Sequence, residues 1–175
     1  MIFYKSKNLS LLSFLFIPIL SFWNPSWLSL MGVQPYWPLF WLLPWSLIYG
    51  PLNGALTGLI LGIILDSLIN DFYTQIPGLL ICGFWFGKIG KLKKNFLNQF
   101  QYGLISFIGC FLCGLLYFVQ ILSRNYSPTN LSWLFSLGVK NILTQVFLTG
   151  LIAPILCVCL FLLFSKESNN IAPRN

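Results

Sequence analysis

One carboxylate in this chain stands where a carboxylate is expensive. Asp66 closes the apolar stretch IYGPLNGALTGLILGIILDSLIN, and an ionisable group at the end of an apolar span needs a partner, a ligand or a proton path to justify it. A proton relay would need a second intramembrane carboxylate or a histidine. The chain has no histidine and only three acidic residues, Asp66, Asp71 and Glu167. Two roles stay open for Asp66. It reaches the membrane interface, capping the next helix or pairing with Arg124, or it is a buried polar anchor for a partner or ligand.

The other reactive side chains offer less. Cys110 and Cys113 form a C-x-x-C inside FIGCFLCGLL, without the polar setting and second ligand pair of a metal site. Together with Cys82, Cys157 and Cys159 they read as small side chains in apolar helices. Without histidine the commonest general base, Ser-His nucleophiles and most zinc sites are excluded. No G-x-S-x-G, H-E-x-x-H or Walker loop is present. The residues therefore imply no catalytic group, no metal and no cofactor.

What positions Asp66 is a run of glycines at four-residue steps, Gly50, Gly54, Gly58 and Gly62, leading into it. Residues four apart lie one above the other on a helix, so the stretch presents a groove of bare backbone in which another helix can pack closely. Four-residue steps drift around a straight helix by about 40° each, so a helix following the stripe crosses it at an angle of about −40°. That helix belongs to the same chain or to another protein; the stripe alone allows both.

Composition sets the surroundings. Of 175 residues 57% are hydrophobic and 7% charged, against about 25% charged in a soluble domain. The pattern predicts an all-α, polytopic transmembrane bundle of about six spans. Residues 1–165 form one membrane domain, and residues 166–175 form a polar, disordered tail. The expected spans are Leu9–Trp23, bent near Pro18; Pro35–Ile48, with Trp37, Trp41 and Trp45 on one face and Pro44 interrupting its hydrogen bonds; Pro51–Ile69; Ile76–Ile89; Phe100–Leu122; and Ile142–Phe164, kinked at Pro154. Leu131–Lys140 reads as a short interfacial helix. The basic N-terminus resembles a signal peptide without a cleavage site and is read as an uncleaved first span.

The net charge of +7 follows topology rather than nucleic acid, because the basic residues cluster at span ends. Lys5, Lys7, Lys88, Lys91, Lys93, Lys94, Lys166 and Arg174 fall on one side of a six-span plan, eight of the ten basic residues. This predicts that both termini are cytoplasmic. The loop bearing Lys88, Lys91, Lys93 and Lys94 meets anionic lipid or a cytoplasmic partner. Asp66, Asp71, Gln75, Pro77 and Gly78 gather at the outer turn.

The segment GPLNGALTGLILGIILDSL, followed by a turn and TQIPGLLICGFWFGKIGK, resembles the MreD family of bacterial rod-shape-determining membrane proteins. Gly54, Gly58, Gly62 and Asp66 match the family's glycine-rich span ending in small-x-x-x-Asp, and Pro77 and Gly78 match the start of its next span. The likeness covers about Gly50 to Lys91. It implies a non-enzymatic inner-membrane scaffold of the cell-elongation complex that binds the bitopic protein MreC. Through MreC it would work with the MreB filament, the glycosyltransferase RodA and a class B penicillin-binding protein. The family is also similar in fold to the substrate-binding subunits of energy-coupling-factor vitamin transporters. The alternative expectation is therefore a small-molecule-binding subunit with its site near Asp66 and Gln75.

Overall fold

The computed structural model describes residues 28–30, 32–69, 73–92, 99–124 and 131–171. The expected first span, Asp71, Lys93, Lys94 and Arg174 lie outside them. The described chain forms five helices: α1 Trp37–Tyr49, α2 Pro51–Ile69, α3 Ile76–Leu92, α4 Gln99–Arg124 and α5 Leu131–Ile171.

Helix α1 and helix α2 are joined through a single residue. Gly50 has φ +90°, a left-handed conformation that side chains other than hydrogen disfavour, and its N–H donates to the Ser46 carbonyl at 3.0 Å to finish α1. Pro51 follows at once as the first residue of α2, where its missing N–H costs nothing. Gly50 is thus the bend before the glycine stripe rather than a helical member of it, which corrects the sequence expectation.

Helix α1 is the hub. Residues Pro38 to Pro44 and Ser46 are all buried, and the helix packs against each of the other four. Its 13 residues span about 20 Å, less than a hydrocarbon core of about 30 Å. Eight of those residues are buried, so neighbouring helices cover most of its surface. Pro44 removes the N–H that would bond the Phe40 carbonyl. The Cys157 thiol of α5 donates to that carbonyl instead, at 3.7 Å.

Among the described residues three helices are long and apolar enough to cross a membrane, over Pro51–Leu68, Phe100–Ser123 and Phe135–Leu162. Leu52, Leu56, Ile60 and Ile63 on α2, and Phe100, Leu104, Phe107 and Phe111 on α4, are exposed. Apolar surface of this extent suits lipid rather than water. The chain is a helical membrane protein.

Helices α4 and α5 run antiparallel in close contact. A Cβ on Gly103 would meet Pro154 and the Gly150 carbonyl, one on Gly114 would meet Ile142, and one on Gly138 would strike the Phe118 ring. Two expectations change in α5. It is continuous from Leu131, so the short helix read at Leu131–Lys140 is its first part. It also runs on to Ile171, past Lys166 and into the tail read as disordered.

Candidate functional site

The glycine stripe is filled by the chain's own α3. A Cβ on Gly54 would fall on the Gly83 carbonyl and Ser46, one on Gly58 on the Leu79 carbonyl, and one on Gly62 on the Ile76 backbone. In return, Gly83 meets the Gly54 carbonyl and Gly87 meets Pro51. Partners on α3 fall in number as those on α2 rise, so the two helices are antiparallel and touch backbone to backbone. Of the two readings left open by the sequence, contact within the chain is the one realised at Gly54, Gly58 and Gly62. The matching glycines Gly83 and Gly87, also four apart, were the unused signal for it.

Antiparallel pairing brings the end of α2 to the start of α3, and there Asp66 meets Gln75. The Asp66 Oδ1 accepts the Gln75 backbone N–H at 2.8 Å, satisfying a donor at a helix start that has no carbonyl of its own to bond. This is the capping role. Its other oxygen, Oδ2, is buried without a hydrogen-bond partner among the described residues.

Gln75 is the node of a wider network. Its Oε1 accepts the Tyr36 hydroxyl at 3.0 Å. The Tyr36 backbone N–H donates to the Thr149 hydroxyl at 3.0 Å, and that hydroxyl donates to the Gln145 carbonyl of α5 at 2.6 Å. On the other side, Gln120 of α4 brackets Thr74. Its Oε1 accepts the Thr74 N–H and its Nε2 donates to the Thr74 carbonyl, both at 3.0 Å. The turn before α3 is thereby tied to the ends of α1 and α2 and to both long helices. Proline suits the second residue of α3, where Pro77 stands, because its N–H has no helical acceptor. Gly78 lets α3 approach Cys113, whose Sγ would lie 3.2 Å from a Cβ there.

A cavity of about 370 Å³ opens beside this node, lined by Tyr36, Thr74 and Gln75, by Cys113, Gly114, Leu116, Tyr117 and Phe118 on α4 and by Gly138, Asn141 and Gln145 on α5. Asn141 and Gln145 are four apart, so both face the cavity from one side of α5. Sequence reasoning passed over Tyr36, Gln120, Asn141 and Gln145. Two amides one turn apart in an apolar helix were the signal available.

Four of the five cysteines match the packing expectation, and Cys159 is exposed. Cys82, Cys110, Cys113 and Cys157 are buried free thiols. Cys82 donates to the Gly109 carbonyl at 3.4 Å and lies 3.4 Å from the Cys113 sulfur. Trp41 and Trp45 of the aromatic stripe stack at 4.9 Å, with Trp41 in the core. Lys88 and Lys91 are exposed at the far end of α3, near Gly50 and a helix length from Asp66 and Gln75.

Comparison with protein-family models, curated proteins and solved structures finds no match.

Proposed function

We propose that the chain is a non-enzymatic scaffold of the bacterial cell-elongation complex, resident in the inner membrane with both termini cytoplasmic. In this reading it binds MreC and through it works with MreB, RodA and a class B penicillin-binding protein, so that wall synthesis is positioned along the cell's side. The observation that carries the proposal is the α2–α3 pair. The segment that resembles MreD is the most closely packed part of the bundle, and its carboxylate caps a helix instead of facing a reacting group. A rigid pair with lipid-facing outer surfaces suits a protein that holds other membrane helices in place. Lys88 and Lys91 sit at the end opposite Asp66, which supports a cytoplasmic basic loop and an outer Gln75 node.

The cavity beside Gln75 favours a second reading, a small-molecule-binding subunit of an energy-coupling-factor transporter. Depletion of the protein in its bacterium separates the two. Loss of side-wall elongation, giving wide and rounded cells, is expected for the scaffold. Normal shape with a loss of uptake of one nutrient would overturn it in favour of the transporter subunit.

A further inference from the structure

The cavity at the Gln75 node is a built site, and its lining selects against charge. Its polar side chains are carboxamides, hydroxyls and one thiol: Gln75 from the start of α3, Asn141 and Gln145 from α5, Tyr36, Thr74, and Cys113 and Tyr117 from α4. None of the described lining residues is Lys, Arg, Asp or Glu. Gln75 is not free to turn, since its Oε1 holds the Tyr36 hydroxyl and its backbone is held by Asp66. The Asn141 and Gln145 side chains hydrogen-bond to no other described residue. Between these polar groups Val33, Leu116, Phe118 and Ile142 supply apolar wall.

We propose that this cavity binds an uncharged small amphiphile, with an amide- or hydroxyl-bearing head set between Gln75 and the Asn141–Gln145 pair and an apolar body against Phe118 and Ile142. The volume lies within the range of small-ligand sites, about 300–1,000 Å³. A carboxylate or ammonium entering it would lose its hydration with no opposite charge among the described lining residues to replace it, a cost neutral amides do not repay. An uncharged head loses little, because each carboxamide offers both a donor and an acceptor. The proposal depends on the cavity alone and holds for either reading of the whole protein.

The neutral head can come from water or from the bilayer, and two probes separate these sources. Binding of benzamide, with benzoate and benzylamine as charged counterparts, is measured by saturation-transfer NMR on the full chain in nanodiscs. Binding of dioctanoylglycerol is measured by native mass spectrometry. Two variants control for the site. Thr74→Trp fills the mouth from an exposed turn whose bonds to Gln120 are made by backbone atoms. Asn141→Leu removes one amide from an exposed position.

The expected result is that at least one neutral probe binds and that both variants weaken it at least tenfold, while benzoate and benzylamine bind at least tenfold more weakly. Benzamide binding would mark an aqueous ligand and dioctanoylglycerol binding a lipid one. Equal or tighter binding of a charged counterpart, no binding of either neutral probe, or neutral binding unchanged in the folded variants would each overturn the proposal.

Discussion

Gly58→Leu is expected to abolish the folded bundle. Position 58 faces the Leu79 carbonyl of α3 within contact distance of a Cβ, and a carbonyl in a helix cannot rotate aside as a side chain can. The leucine must force α2 and α3 apart along their whole length, which also separates Gly54 from Gly83 and Asp66 from Gln75. Overpacking a core costs about 1–3 kcal/mol and sometimes more. A clash against backbone belongs at or above the top of that range. The check is the yield of monodisperse protein from mild detergent and its thermal unfolding midpoint. Ile60→Leu, on the exposed face of the same helix, is the control and should behave as wild type. Wild-type behaviour of Gly58→Leu would mean that the α2–α3 contact does not hold the fold together.

The second large effect is at Asp66, and it separates hydrogen bonding from charge. Asp66→Ala leaves the Gln75 N–H without its acceptor, a loss of about 1–3 kcal/mol for a partly buried donor. It should also loosen the Gln75–Tyr36–Thr149 chain of hydrogen bonds, because Gln75 anchors its end. Asp66→Asn keeps an acceptor oxygen and exchanges the charge and Oδ2 for a neutral NH2 group, so its cost should stay below that of Asp66→Ala. Thermal unfolding of the three proteins side by side, with hydrogen exchange at the start of α3, reads the difference. If Asn destabilises as much as Ala, the carboxylate charge is what the position requires, and its capping role is insufficient. If Asn folds normally yet fails to support side-wall growth, the free oxygen serves a partner.

The helices were legible in the sequence to differing degrees, for physical reasons. Helix α2 runs over the same residues, Pro51–Ile69, because Pro51 fixes its start and the apolar run ends there. Helix α3 begins at Ile76 as read, but continues through Gly90 and Lys91 to Leu92, since basic residues at a helix end favour the carbonyl dipoles there. The boundary drawn before Ile142 failed for a different reason. Lys140 and Asn141 look like an interruption in an apolar run, yet Lys140 is exposed and Asn141 faces the cavity, so neither obliges the helix to break.

At the candidate site, Asp66, Gln75, Pro77 and Gly78 were found from local pattern. Tyr36 and Gln120 were not, because their contacts join residues 39 and 46 positions apart, and no spacing rule relates them. The destination of the glycine stripe was likewise undecided until α3 was seen to carry its own complementary glycines. Gly50 was misassigned because helical spacing cannot distinguish a bend from a further turn.

Recovery of the protein from gently solubilised membranes of its own bacterium, with crosslinking before lysis and mass spectrometry of what accompanies it, tests the scaffold role most directly. MreC should be recovered, with RodA and the penicillin-binding protein in smaller amounts, and crosslinks should map to lipid-facing or outer positions rather than to the closed Gly54–Gly62 groove. Recovery of transporter ATPases and their coupling membrane subunit in place of MreC would contradict it.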